Sequence, residues 1–431
     1  FAAYDLWVKP VGLLCIASIL KQNGIGIHLI DCLDAEDPEM HQAQDFKKPV
    51  RKPTGHGHFF KETLKKPAPL RHIPRAYRKY GIHSTVFLKK LAALQRPDAI
   101  ILTSGMTYWY PGVFEAIRLL RDVFTDVPII LGGVYATLCQ KHARELSGAD
   151  TVITGPCNAQ ALAVIGSYID RKLYGPKADE VPTPDYALLG ASSPVPLLTS
   201  RGCPCNCPYC ASELLNPGFS QKNPIAIVND IEHWVNTAGT TDFVFYDDAL
   251  LINTASHFSP MASEILARNL KVRFHVPNGL HIRSISPQVA ELLQQTGFKT
   301  LRLGLESSDP HLQQTTGGKV TREDFTRAAD ALHNAGFNTA DVGVYILAGL
   351  PGQRWQSVDA SIHFVKDHGL RPYITEFSPI PGTRLWPDAV NASPFPITEE
   401  PLFHNNTLLP CQGEHFTLED LSRLKQKAHS S

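Results

Sequence analysis

The sequence predicts an α/β protein: a doubly wound parallel sheet followed by a partial (β/α)6, TIM-like barrel. Three observations predict it. Short apolar strands alternate with amphipathic helices in two successive series, glycines stand at strand exits, and a Pro-rich polar stretch separates the series.

Length and composition set the bounds. At roughly 100–200 residues per domain, 431 residues predict two or three domains with room for real cores. An apolar share of 43% excludes general disorder. Lys+Arg and Asp+Glu both number 41, so the formal charge is zero, which argues against a generally basic nucleic-acid binder. No apolar run reaches the roughly 18–20 residues of a membrane span; Val11–Leu20 and Ile129–Val134 are core-sized. No signal peptide is visible. The chain begins on Phe1, and the first strand of its sheet is expected ahead of that residue.

In the first series, Pro10–Leu20 reads as a helix closed by Asn23-Gly24, and Ile25–Ile30 as a strand. Helices are expected around Val86–Leu94, Val113–Phe124, Gln140–Leu146 and Ala159–Ile169. Strands are expected at Ala99–Thr103, Pro128–Leu131 and Thr151–Thr154. Residues 1–170 thus form the first domain. A linker, residues 171–194, carries Pro182, Pro184 and Pro194.

The second series has strands at Val195–Thr199, Asp242–Tyr246, Val272–Val276, Thr300–Leu305, Asp341–Leu347 and Tyr373–Phe377. Its helices lie near Pro224–Thr237, Ser256–Asn269, Pro287–Gln295, Arg322–Ala335 and Trp355–His368. Six strand–helix repeats fit a partial barrel over 195–384 better than a second open sheet. Residues 385–431 form a tail with one short helix, which Thr417 and Asp420 would cap.

One segment stands apart. His41–Tyr80 carries 11 Lys or Arg against Asp45 and Glu62, so 11 minus 2 gives +9. It reads as a long basic loop, with three roles open: a solvated loop, a lid, or a patch for an anionic partner. Phe59, Phe60, Tyr77 and Tyr80 are the aromatics that nucleic-acid stacking would need.

The cysteines carry the chemistry. Of nine, Cys203, Cys205, Cys207 and Cys210 fall within eight residues, directly after the first barrel strand. The crowding favours metal chemistry in a reducing compartment, with cytoplasm as the default. Iron–sulfur clusters are normally held by four thiolates. The C-x3-C-x2-C trio Cys203, Cys207, Cys210 would leave one iron open to a substrate or cofactor. The competing zinc reading adds Cys205 as a fourth ligand, although structural zinc sites usually space their ligand pairs further apart.

C-x3-C-x2-C with an aromatic residue, here Tyr209, before the last cysteine resembles the radical S-adenosylmethionine superfamily over Val195–Phe377. The resemblance implies that Cys203, Cys207 and Cys210 ligate a [4Fe-4S] cluster whose open iron chelates S-adenosylmethionine. Cys205 departs from the family pattern and reads as a bystander thiol. The resemblance further implies S-adenosylmethionine contacts from Tyr209, Asp247 and Asp248, Asn278, Glu306 and Ser307, and Gly349, at successive strand exits where a barrel places its active site. Taken singly, each is equally a helix cap or a loop polar group.

The first domain resembles the Rossmann-like cobalamin-binding domain of cobalamin-dependent radical enzymes. The resemblance rests on its place before the barrel and on Leu131–Thr137 and Val152–Gly155. It implies cobalamin contacts from Thr103, Ser104, Gly105, Met106 and Thr107, from Gly132, Gly133, Val134 and Tyr135, and from Thr154 and Gly155. Two departures stand. No D-x-H-x-x-G supplies a cobalt-ligating histidine, and Gly155-Pro156-Cys157 replaces the Gly-Glu-Gly frequent in relatives.

What the resemblance implies is an enzyme methylating an unactivated carbon of an unknown small-molecule or lipid substrate, through a 5′-deoxyadenosyl radical and methylcobalamin. A one-electron donor such as flavodoxin or ferredoxin would serve it. No catalytic side chain is singled out. The alternatives are a cobalamin-using cyclisation or rearrangement, and a non-catalytic corrinoid or iron–sulfur carrier. A methylthiotransferase is disfavoured, because the first domain lacks a second cysteine trio.

Overall fold

The computed structural model of the chain describes residues 4–43, 46–176, 180–190 and 194–430. Asp45 of the basic segment and residues 177–179 and 191–193 of the expected linker lie outside the described residues. The chain divides into two compact units. The first holds the described residues up to 176, Pro182–Gly190 and Glu399–His404. The second holds residues 180–181, 194–398 and the described residues from Asn405 onward.

The first unit is built on three parallel strands, β1 (Ile100–Ser104), β2 (Ile129–Gly132) and β3 (Thr151–Val152), in the order β1-β2-β3. Among the described residues the strands run in consecutive order without a reversal. Their Ile and Leu side chains pack between helices such as Val11–Gln22 and Tyr110–Val123. A helix over Gly133–Leu138 follows β2 at once, unannounced by any periodicity longer than a turn and a half.

Two expectations for this unit fail. Ile25–Ile30 forms no strand; Ile25 and Ile27 pack against the core of Leu20, Ile130 and Ile165 without a ladder partner among the described residues. An apolar alternation satisfied by packing alone looks the same in sequence as one satisfied by pairing. The basic segment is likewise not a plain loop. Lys61–Leu64 and Tyr77–Tyr80 form an antiparallel pair, with Glu62 opposite Lys79, and Tyr4–Asp5 pairs with Gly57–His58. Phe59 and Phe60 are 2% exposed. They anchor the segment and present no ring to a base, which removes much of the support for nucleic-acid stacking.

The second unit carries a six-stranded parallel sheet. Its strands are β4 (Val195–Leu197), β5 (Asp242–Phe245), β6 (Arg273–His275), β7 (Phe298–Glu306), β8 (Val342–Ala348) and β9 (Arg371–Glu376). The spatial order is the sequence order, β4 to β9, and every pairing is parallel. Helices fill the crossovers, as parallel neighbours require. Phe243, Phe245, Phe274 and Phe298 form one aromatic cluster with ring centroids 5.0–6.0 Å apart. The C-terminal residues hold more than one helix: Trp386–Ala392 precedes Leu418–His429. Thr417 and Asp420 do form a reciprocal capping box on the latter.

Candidate cluster site

The cysteine loop hangs from a neck. After β4 the chain pairs Ser200–Gly202 with Phe219–Gln221 in an antiparallel ribbon, so residues 203–218 form a closed excursion at the carboxyl end of the first sheet strand. Gly202 makes the neck possible. Its φ is +76°, and a Cβ there would lie 1.9 Å from the Gly218 carbonyl oxygen. The left-handed backbone alone costs an ordinary residue roughly 1–2 kcal/mol. Gly202→Ala is therefore expected to lower Tm by more than the ~2–4 °C that 1 kcal/mol represents in a unit of this size. Calorimetry would check it, and an unchanged Tm would refute this account of the neck.

Buried Asp247, directly after β5, ties the neck to the sheet. Its Oδ1 accepts from the Thr199 and Ser200 backbone N–H groups and from both hydroxyls, at 2.5–3.0 Å. Its Oδ2 is buried without a partner among the described residues. Burial pushes this carboxyl up to about 6 against the pull of the four donors. Within the loop, the Cys210 N–H donates to the Cys207 carbonyl at 3.1 Å. Ser212 Oγ lies 3.3 Å from Cys210 Sγ and donates to Asp248 Oδ2 at 3.0 Å. On the other side, Leu385 N–H donates to the Pro208 carbonyl at 2.9 Å, and the Arg384 guanidinium donates to the Asn206 carbonyl.

The remaining expected contacts fall at consecutive strand exits. Asn278, after β6, donates to the carbonyls of Tyr246 and Asp247 at 3.2 and 3.3 Å, joining two exits. Glu306 ends β7 in a left-handed conformation, φ +63°, at a register shift against β8. A non-glycine residue held there signals a constrained carboxylate. Ser307 is buried, and its Oγ accepts from the Asp309 N–H at 3.1 Å. Gly349 has φ +87°, with Gln353 Oε1 accepting from its N–H at 2.7 Å and from that of Leu350 at 3.1 Å. The structure thus brings Cys207, Tyr209 and Glu306 together, whereas the Cys203 thiol lies with Cys205 and His281, and Ser307 and Gly349 are engaged in shaping their own turns.

Lys319 is the residue that sequence reasoning missed. Its Nζ lies 2.6 Å from Glu306 Oε1 and 6.0 Å from the Tyr209 ring centroid. It arrives on the turn Gly317-Gly318; a Cβ on Gly317 would sit 3.5 Å from Cys207 Sγ. Burial opposes its charge, but Glu306 and the nearby thiols raise its pKa. Burial likewise raises Cys207, with Lys319 opposing, and burial beside Glu306 and Cys207 holds the Tyr209 phenol protonated. The Gly-Gly-Lys triplet was the available signal, and it reads as an ordinary turn. Lys319→Met leaves Glu306 buried without its cation and is expected to cost about 3 kcal/mol. A denaturant midpoint within error of the parent would contradict the pairing.

Cys205 is no isolated bystander. Its Sγ faces His281 Nε2 at 3.2 Å, and Cys203, Cys205 and His281 bring their ligand atoms within 4.8 Å of one another. The Cys203 thiol donates to Cys205, which holds Cys203 up at about 12 and lowers Cys205 to about 7.

In the first unit, the strand exits expected to meet cobalamin do converge. Gly133 has φ +84°, and a Cβ there would fall 1.9 Å from Thr103 Oγ1; Ser104 bridges to Gly133. Thr137 Oγ1 accepts from the Gly155 N–H at 2.9 Å and donates to the Gly133 carbonyl at 2.8 Å. Gly105 is exposed, and no atom lies within 4 Å of a Cβ built on Gly155. Met106, Val134 and Thr154 are partly buried beside them. Tyr135 points its side chain elsewhere. It is fully buried, stacked on Tyr110 and bonded to His142 Nδ1 at 2.5 Å. Thr107 is buried too, with Oγ1 3.0 Å from His404 Nδ1, and Tyr110 donates to Glu400 at 2.9 Å.

A loop of clustered thiols at the carboxyl end of a consecutive parallel sheet, with acids at the neighbouring exits, defines a metal-dependent α/β enzyme domain. Residues 197–365 match the model of the radical SAM superfamily. The chain is 23% identical over 368 residues to an uncharacterized methyltransferase of Pyrococcus horikoshii, covering 78% of each chain. It is also 23% identical over 277 residues to an anaerobic magnesium-protoporphyrin IX monomethyl ester cyclase of Cereibacter sphaeroides, of which it spans 44%. Among solved structures, the fold is similar to the radical S-adenosylmethionine methyltransferase TsrM of Kitasatospora setae, with cobalamin and a [4Fe-4S] cluster bound. The TM-score is 0.65 at 14% identity, over 90% of this chain and 74% of that one. It is similar as well to the cobalamin-dependent radical enzyme OxsB, with a TM-score of 0.53 at 14% identity, over 80% and 54%.

Proposed function

We propose that the protein is a cobalamin-dependent radical S-adenosylmethionine methyltransferase acting on an unactivated carbon of a small organic substrate. The observation that carries this reading is the trio Cys203, Cys207 and Cys210 on a closed loop at the carboxyl end of β4. The fold likeness to two cobalamin enzymes and the methyltransferase among the relatives support it. On this reading residues 1–170 are a Rossmann-like cobalamin-binding domain, 171–194 a linker, 195–384 a partial barrel and 385–431 a C-terminal tail.

The residues present fit the groups the reading requires. Three soft sulfur donors share one loop, and a cation, Lys319, reaches it beside Cys207 and Cys205 from the Gly317-Gly318 turn, which suits an anionic iron–sulfur cluster. Asp247 offers an orphaned, buried carboxylate oxygen at the second strand exit. Gly155, with nothing within 4 Å of a Cβ built on it, and exposed Gly105 leave backbone open to a flat ligand in the first unit. When bound, these groups supply one-electron cleavage of S-adenosylmethionine and a methyl group carried on cobalt; such chemistry belongs to the cofactors.

The chain's own part is to bind and orient. Cys203, Cys207 and Cys210 hold the cluster. Tyr209 and Glu306, the latter fixed by Lys319, flank it and contact S-adenosylmethionine together with Asp247, Asp248, Asn278, Ser307 and Gly349. The neck and the loop's contacts to Arg384 and Leu385 fix the geometry that such positioning demands. Thr103–Thr107, Gly132–Tyr135 and Thr154–Gly155 cradle the corrin, Tyr135 and Thr107 through backbone alone. A flavodoxin- or ferredoxin-type donor supplies the electron, in the reducing cytoplasm.

Anaerobic reconstitution with iron, sulfide and hydroxocobalamin, followed by S-adenosylmethionine and reductant, tests the reading. Retained corrinoid absorption and release of 5′-deoxyadenosine are expected. Protein that assembles a cluster yet retains no corrinoid would overturn the cobalamin half. The cyclase among the relatives favours a second reading, radical cyclisation without methyl transfer. Product of unchanged carbon count would select it.

A further inference from the structure

We propose that Cys203, Cys205 and His281 form a second, mononuclear site for a soft divalent cation such as Zn2+, occupied in cluster-free protein and exclusive of the cluster because Cys203 is shared. The exclusivity rests on the cluster assignment above; the site itself does not.

The argument is geometric. Zn–S bonds of about 2.3 Å and Zn–N bonds of about 2.0–2.1 Å at tetrahedral angles place a sulfur and a nitrogen roughly 3.5 Å apart. Cys205 Sγ and His281 Nε2 stand 3.2 Å apart, and all three ligand atoms lie within 4.8 Å of one another. Hydrogen bonds already join the three groups, Cys203 to Cys205 and Cys205 to His281, and a cation would take the place of the shared protons. The donors arrive on independent supports. Cys203 and Cys205 flank Pro204 on the loop just beyond the neck, and His281 immediately precedes the 3₁₀ turn Ile282–Ser284 after β6. Two thiolates and an imidazole are a donor set that prefers zinc-like ions to hard cations. Three protein ligands leave a fourth position for water or a further thiolate.

The consequence is a choice at the loop. With Cys203 and Cys205 drawn to His281, the trio Cys203, Cys207, Cys210 is incomplete; with the trio on iron, Cys205 and His281 are left as a pair. A bound divalent ion therefore blocks cluster loading until it is removed.

The test uses the full chain purified without iron and titrated anaerobically with Co2+, whose thiolate charge-transfer bands report the ligands. One equivalent is expected to bind. Cys205→Ser and His281→Ala should each weaken it by at least the roughly tenfold that loss of an outer-shell partner alone produces. Cys210→Ser should bind as the parent does. Circular dichroism of each variant establishes that it is folded, and His281→Gln serves if His281→Ala is not. Preloading with Zn2+ should slow iron–sulfide reconstitution of the parent but not of Cys205→Ser. Parent-like Co2+ binding by folded Cys205→Ser and His281 variants, or its loss in Cys210→Ser, would overturn the proposal. Failure of the parent to build any cluster would instead remove the cluster assignment and leave the Co2+ result standing.

Discussion

Serine in place of Cys203, Cys207 or Cys210 is expected to strip the cluster iron and take 5′-deoxyadenosine formation below detection, whereas Cys205→Ser is expected to keep both. A hydroxyl oxygen is a poor substitute for the soft thiolate that these clusters use. The two classes of variant also separate the competing ligand sets. The trio predicts loss at 203, 207 and 210, while a four-thiolate zinc site predicts loss at 205 as well. Iron and sulfide analysis of each reconstituted variant, with Mössbauer spectra of the parent, decides the matter. Full cluster content in Cys207→Ser would remove the trio from consideration.

The second large effect belongs to Asp247. Asp247→Ala leaves two backbone N–H groups and two hydroxyls of Thr199 and Ser200 without their acceptor, all in a buried setting. At about 1–3 kcal/mol for each group that no water can reach, a loss on the order of 3–5 kcal/mol is expected, with cluster retention falling as the neck loosens. Asp247→Asn keeps an oxygen facing the donors and should cost far less. The pair also carries a pH signature. A carboxyl held at about 6 in the folded protein, above its ordinary value of 3.8, binds protons more tightly folded than unfolded. Its contribution is fully present below about pH 4 and is lost as pH rises through about 6; over that window the parent should lose on the order of 3 kcal/mol relative to Asp247→Asn. Urea unfolding of both proteins from pH 4 to pH 7 measures the difference. Parallel pH curves would show that Asp247 is ionised throughout.

Much of the second unit was legible from residues alone, because parallel strands buried on both faces write near-continuous apolar runs such as Phe243–Phe245 and Val342–Ala348. Each expected strand there lies within a few residues of the observed one. The cysteine loop was legible for the same local reason: its spacing lies within eight residues. What was not legible depends on residues distant in sequence. Lys319 reaches Glu306 from 13 positions away, and His281 reaches Cys205 from 76. Asp247 stood out as an acid at a strand exit, yet its partners at Thr199 and Ser200 emerge only from the parallel pairing of β4 with β5. Ile25–Ile30 shows the converse failure, a strand pattern that pairs with no strand among the described residues.

The segment Glu399–His404 has a temporal meaning. It belongs to the first unit, where Glu400 takes the Tyr110 hydroxyl across 290 positions and His404 meets Thr107 across 297. A ribosome adding about 5–20 residues per second needs on the order of 10–40 s after Gly190 before His404 is made. Until then the nascent first unit lacks its last piece, and its Tyr110 and Thr107 hydroxyls await their partners. The unit that emerges first is thus among the last to be finished, and early termination near residue 398 would harm the beginning of the protein as surely as its end.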